Sequence, residues 1–300
     1  MYLGIEIGGT KLQLGLGDGG GVIHALWRGT VVPGDGADGI RRQITAAIAE
    51  LLAGAKRDRA ELKGVGIGFG GPVDDATRTV IKSHQIEGWD AFPLADWIAE
   101  LVGVPAVLGN DADVAGLAEA LFGAGQGLSP IFYITIGSGI GGGLIINGEI
   151  YRGCGVGAAE IGHLWVNCDG IREPLEFFSS GWGMTHQMRY QSGKPNCSAA
   201  EIARLATRGD ENSQVVLDRA VDQLAEAICH VIALLCPRRI VIGGGVSLMG
   251  EKLLFGPLRQ KVAERVFRPF AGFYDIVHAD LGEEVVVHGA LALARQRLLR

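Results

Sequence analysis

The sequence predicts an α/β protein built from two similar domains that face one another across a cleft. Three observations carry this expectation. A strand, a glycine turn and a second strand occur together in "GIEIGGTK", Gly4 to Lys11, and again in "ITIGSGIGGG", Ile134 to Gly143. Each of these units is followed by alternating helix and strand patterns. The 48 glycines, far above the roughly 7% of average usage, follow no low-complexity period and gather at strand ends. At 300 residues the chain is long enough for two separate cores.

The elements can be read in order. Leu3 to Ile7 alternates as a strand, Gly8 to Lys11 turns, Leu12 to Leu16 alternates again, and the turn Asp18 to Gly21 leads into a third strand, Val22 to Trp27. Ile40, Ile44, Ala47, Ile48, Leu51 and Leu52 then recur at helical spacing until Gly54 stops the helix. Gly64 to Phe69 reads as a buried strand ending in "GGPVD", and Val104 to Leu108 as another ending in "GNDAD". In the second half Ile131 to Ile136 and Gly142 to Ile146 are strands flanking Gly137 to Gly141, and Asn147-Gly148 signals a hairpin. Val216, Ala220, Leu224, Ala227, Ile228, Val231 and Leu235 mark a long helix that must stop before Pro237. Arg239 to Ile242 follows as a strand ending in "GGGVS". Ligands of open α/β sheets bind beyond the carboxyl ends of the strands, so these glycine loops are expected to line the cleft.

Composition excludes several function classes. The chain is 48% hydrophobic, and 27 basic against 33 acidic residues leave a net charge of −6, which suits no polyanion-binding face; nucleic acid is not an expected partner. No apolar run reaches the roughly 18 residues of a membrane span, and no basic leader precedes the first strand. Cys154, Cys168, Cys197, Cys229 and Cys236 are an odd set without a CxxC pair, which fits a reducing compartment and a cytoplasmic protein. Cys229 and Cys236 fall on an apolar helical pattern and are expected to pack in the core.

Several residues have the chemistry for a site. A Gly-Gly-Thr or Gly-Ser-Gly turn lets backbone N–H groups converge, removes the Cβ atoms that would block an anion, and adds a hydroxyl donor in Thr10 or Ser138. Phosphate is the natural guest, although neither turn is a Walker loop. Asn110-Asp111 stands where a strand ends and a helix begins. Asp111 or Asp113 could cap that helix, and Asp111 is also placed to accept a proton from a substrate hydroxyl. "GAAEIGH" spaces Glu160 and His163 three apart, which on a helix would turn both to one face. Glu176 in "EPLEFFSSG" has no local signature of its own and reads as surface.

Taken together, these stretches resemble the ROK family of sugar kinases and sugar-sensing repressors, within the actin, hexokinase and Hsp70 ATPase superfamily. "GIEIGGTK" resembles its first phosphate loop, "TIGSGIGGGLI" its second, "GIGFGGPVD" its GxGxPGPVD stretch, and "GNDADVAGLAEALFGAG" its NDANxxAxxE stretch. "GVGAAEIGH" resembles AGEIGH, "IVIGGGVS" the adenosine loop, and "VHGALALA" the closing helix. The matches run in the family's order from Gly4 to Ala294. The resemblance implies two ribonuclease-H-like domains, a small one of residues 1–109 plus 286–300 and a large one of residues 110–285. It also implies phosphorylation of a hexose hydroxyl by ATP, glucokinase-like by default, in a protein that forms homo-oligomers. Gly8, Gly9, Thr10 and Lys11 with Gly137, Ser138 and Gly139 would hold the ATP phosphates, and Gly243, Gly244 and Gly245 the nucleoside. Asp111 would be the catalytic base, with Gly71, Gln85, Asn110, Glu160, His163 and Glu176 around the sugar.

The chain departs from the family pattern in three places. Glu6 stands where the family carries the Asp that holds Mg²⁺, usually through water. The extra carbon reaches roughly 1.5 Å further, a difference that one fewer bridging water absorbs, so activity is expected to survive. After His163 the family commonly has a CxCGxxGC zinc loop; here "HLWVNCDGIREPLEFF" offers only Cys168, and no structural zinc is expected. Gln85 in "SHQIEGW" replaces an Asn that touches the sugar, which leaves the choice of hexose open. The family's repressors carry a DNA-binding module ahead of the first loop, where only three residues precede Gly4, so a DNA-binding regulator is not expected. The alternative to a kinase is a catalytically weak sugar-sensing protein.

Overall fold

The computed structural model describes residues 1–83, 86–193 and 197–299. These divide into two compact units, one of Met1–Gly127, Gly148–Ala158 and Leu281–Arg300, the other of Leu128–Asn147 and Ala159–Asp280. The division differs from the expected lobes. The helix Asp111–Phe122 packs with the first unit, because its small residues lie against the final helix, Val285–Leu298.

Each sheet has five strands. In the first the order is Ile23–Thr30, Lys11–Gly17, Tyr2–Ile7, Gly64–Phe69 and Ala106–Asn110. Lys11–Gly17 runs antiparallel to both Ile23–Thr30 and Tyr2–Ile7, Gly64–Phe69 joins Tyr2–Ile7 in parallel, and Ala106–Asn110 joins Gly64–Phe69 in parallel. In the second, Glu149–Ile150, Ile140–Ile146, Ile131–Ile136, Arg239–Gly243 and Asp275–His278 repeat that order and the same strand senses where pairing is defined. The expected internal repeat is therefore present at the level of topology. Both sheets belong to mixed α/β units, as the alternation of patterns requires.

Strand bounds moved where register overrides local pattern. The third strand extends to Thr30 because Lys11 pairs with Thr30 at the far end of the ladder. The fifth strand is Ala106–Asn110 instead of Val104–Leu108: Pro105 has no N–H to give the ladder, and pairing with Gly64–Phe69 starts at Val65↔Ala106 and ends at Phe69↔Asn110. That shift carries Asn110 to the strand's last position.

The strand glycines have a packing cause. The final helix lies directly on the first sheet, so a Cβ on Gly4 would meet Val287 O at 2.9 Å, and one on Gly66 would meet Ala290 O at 1.8 Å. From the helix's other side, a Cβ on Gly289 would meet Val114 O at 1.9 Å. Leu3, Ile5, Leu14, Ile44, Ile67 and Ile98 belong to the first core, and Ile134, Leu224, Ile228, Ile240 and Val262 to the second. Of the two cysteines expected in the core, Cys229 packs partly against it. Cys236 instead ends the helix Glu211–Leu235 in a left-handed conformation, φ 41°, just before Pro237.

Candidate active site

In the first unit the site begins at the end of the first strand. Gly8 N–H donates to the Lys11 carbonyl at 2.9 Å and closes the turn, leaving Thr10 exposed at its tip. Lys11 folds back, with Nζ 3.0 Å from Glu6 Oε1, and donates to the Glu283 carbonyl at 3.1 Å. Glu6 is only 6% exposed, and its Oε2 is buried without a hydrogen-bond partner. Burial pushes its pKa up to about 7; Lys11 pulls the other way, while Asp111 and Glu283 add to the rise. Glu6, Lys11, Asp111 and Glu283 are thus electrostatic neighbours.

The fifth strand delivers the second component. Asn110 adopts an extended conformation and caps the next helix, its Oδ1 accepting from Ala112 N–H at 2.9 Å and Asp113 N–H at 3.3 Å. The cap expected of Asp111 or Asp113 is therefore supplied mainly by Asn110, one residue earlier, because the strand reaches two residues further than its apolar pattern. Asn110 Nδ2 also donates to the Gly71 carbonyl at 3.0 Å, joining the cap to the loop after Gly64–Phe69. Asp111 Oδ1 accepts from Ala112 N–H at 2.8 Å. A Cβ on Gly70 would lie 3.4 Å from Asp111 Oδ2 and 3.5 Å from Gly8 Cα. The carboxylate and the first glycine turn thus share Gly70 as their common neighbour.

The second unit carries the other turn. Gly137 N–H donates to the Gly139 carbonyl at 2.9 Å, leaving Ser138 exposed, and a Cβ on Gly137 would meet nothing within 4 Å. Gly244, at φ 83°, sits so close to Ile136 that a Cβ would come within 2.6 Å of its carbonyl oxygen, which brings the Gly243–Gly245 turn to the base of this one. Glu176, in the short helix Leu175–Ser179, reaches the turn as well: its Oε2 would be 3.1 Å from a Cβ on Gly139. The surface reading of Glu176 is thereby corrected.

Glu160 and His163 do not share an α-helix. Ala159 takes φ 65° and Leu164 is extended, so the segment between them closes only one 3₁₀ turn, Ile161–His163, with Glu160 at its N-terminal edge. Loss of surrounding water raises the Glu160 pKa, His163 opposes this and Glu176 adds to it, so the three side chains sense one another. Gln85 lies outside the described residues.

Sequence reasoning passed over Arg152. Its guanidinium lies 3.1 Å from Asp113 Oδ2 and 3.4 Å from Asp75 Oδ1, tying the first turn of the Asp111–Phe122 helix to the loop after Val73–Asp74. No motif announces a pairing across 39 residues; only the unusual second acid of "NDAD" hinted at a cation to come. Among the described residues no group of three or more His, Cys, Asp or Glu side chains could hold a metal ion, and no helix is long and apolar enough to cross a membrane.

Comparison with known proteins gives the chain a family. The model of the ROK family matches residues 2–297. The chain is 34% identical to a glucokinase of Thermotoga maritima, over 99% of this chain and 98% of that protein, and 31% identical to a glucokinase of Halalkalibacterium halodurans, over 99% and 95%. Among solved structures, a ROK family glucokinase from Streptomyces griseus, in complex with glucose and AMPPNP, superposes with a TM-score of 0.82 at 31% identity over 98% of this chain and 99% of that one. A ROK hexokinase from Thermus thermophilus gives 0.84 at 25% identity over 99% of both.

Proposed function

The chain belongs to the ROK family, and on that premise we propose that it is a sugar kinase that transfers the γ-phosphoryl group of ATP to a hexose hydroxyl, with glucose as the acceptor. The relatives named glucokinase and the glucose and AMPPNP bound by the Streptomyces griseus protein support the substrates. The observation that carries the reaction is the nearness of Asp111 and Gly8 to Gly70, which supports a carboxylate beside the first glycine turn.

Asp111 takes the proton of the attacking hydroxyl as its oxygen bonds to the γ-phosphorus and the bond to the β-phosphate oxygen breaks, releasing ADP. Gly8 to Lys11 and Gly137 to Gly139 bind the phosphates through the Thr10 and Ser138 hydroxyls and the backbone N–H groups of the turns other than those of Gly8 and Gly137, which close the turns themselves. Gly243 to Gly245 receive the nucleoside. One Nδ2 proton of Asn110 is committed to Gly71, which leaves the other for a sugar hydroxyl. Glu160, His163, Glu176, Gly71 and Gln85 complete the sugar's hydrogen bonds. Mg²⁺, when bound with ATP, would supply neutralisation of the phosphate charge. Glu6 fits that ion: its buried, unpartnered Oε2 is the kind of carboxylate oxygen that holds Mg²⁺ through water.

The test is ADP release measured with single sugars: glucose, mannose, fructose, N-acetylglucosamine and N-acetylmannosamine. Glucose is expected to give the highest kcat/KM. Glucose binding without ADP release would replace the kinase by the sugar-sensing alternative, and preference for another sugar would overturn glucose alone.

A further inference from the structure

Trp182 opens the helix Gly181–Ser192 and is 55% exposed, an unusual place for the largest apolar side chain. Its backbone is fixed to the second glycine turn, with Gly181 N–H donating to the Gly137 carbonyl at 2.8 Å and Trp182 N–H to the Ser138 carbonyl at 3.1 Å. Its ring is fixed by other rings. His186, one helical turn on, stacks beneath it with centroids 5.6 Å apart and planes 25° apart, and Phe177 meets it edge-on at 6.1 Å. A helix start alone would say nothing about a ligand. Here a backed, oriented indole with more than half its surface in water stands one hydrogen bond from the turn proposed to hold phosphate, and the Gly243–Gly245 turn abuts the same turn through Gly244 and Ile136.

From this geometry we infer that Trp182 is a donor-binding residue whose exposed indole stacks on the base of the nucleoside triphosphate. The inference rests on the reading of the protein as an ATP-dependent kinase. Once phosphates occupy Gly137 to Gly139, the ribose tethers the base to the neighbourhood of that turn, and a flat π-surface is the partner an indole rewards most. The sugar is the less fitting occupant. The acids suited to its hydroxyls approach the turn at Gly139 through Glu176, whereas Trp182 is bonded at the Gly137–Ser138 side. A stack reads no base edge, so ATP and GTP should benefit alike.

The experiment titrates the full-length chain with AMPPNP by calorimetry and measures glucose KM at saturating ATP. Trp182→Ala is expected to weaken AMPPNP roughly tenfold with glucose KM changed less than about twofold, while Trp182→Phe, which keeps a π-face, retains most of the affinity. Trp165→Ala, exposed elsewhere in the same unit, should leave AMPPNP binding unchanged. Unchanged AMPPNP affinity in Trp182→Ala, or a loss confined to glucose, overturns the inference while leaving the kinase reading intact. A wild-type chain that neither binds AMPPNP nor releases ADP overturns both.

Discussion

Asp111 is held by its own helix start and looks onto the Gly70 backbone, so the isosteric Asp111→Asn replacement should keep the fold and remove the base. We expect kcat to fall by roughly 10²- to 10⁴-fold with glucose affinity, measured by calorimetry, nearly unchanged. Full turnover in the variant would eliminate Asp111 as the base. Glu6 makes a prediction of a different kind. Its folded pKa of about 7 lies above the ordinary 4.5, so folding takes up a proton between those values. The cost of ionising it is absent below about pH 4.5 and fully present above about 7, on the order of 3 kcal/mol. In metal-free protein, Glu6→Gln should therefore gain stability relative to the wild type as pH rises from 5 to 8, read from thermal melts in EDTA; parallel profiles would refute it. The places of Asp111 and Glu6 in the fold were legible because each sits at a motif's fixed offset from a strand end. Glu176 was named only through the family resemblance, since its approach to Gly139 depends on how a distant short helix docks, and no local pattern records that.

At the scale of elements, close backbone approach explains what composition only signalled. Gly66→Ala must displace the Ala290 carbonyl, 1.8 Å from the new methyl carbon, and should cost about 3 kcal/mol or more in urea unfolding. Gly34→Ala, where a Cβ meets nothing within 4 Å, should cost almost nothing. Equal effects would show that the final helix does not bear on the sheet. The hairpin Trp165–Cys168 with Ile171–Pro174 holds itself by an antiparallel ladder, and near His163 it offers Cys168 as its one thiol. Elemental analysis should accordingly find far less than one zinc per chain, with melts unchanged by EDTA; stoichiometric zinc would contradict this. The period-two strands and the long second-half helix were readable from apolar spacing, whereas the 3₁₀ turn at Ile161–His163 was not. Its cause is the left-handed Ala159, a backbone state that alanine's side chain does nothing to advertise.

At the scale of the molecule, the doubled topology was legible because each half repeats the same pattern of alternation, turn and helix, and topology follows from such patterns. The extent of each unit was not, because the first is assembled from three separated segments. The closing segment is indispensable to it: Val287, Leu291 and Ala294 cluster with Tyr2 of the first strand. A chain ending at Asp280 should therefore bind the dye ANS strongly and release no ADP. Weak dye binding with full turnover would show the closing helix to be dispensable.

The trough formed by Gly4 and Gly66 is made early in the chain and filled last. During synthesis from the N-terminus at ~5–20 residues per second, the segments Leu128–Asn147 and Ala159–Asp280 leave the ribosome complete while the earlier sheet still lacks its lid. The half begun first therefore cannot close until the last segment emerges, and until then its glycine-lined face stays uncovered on the nascent chain.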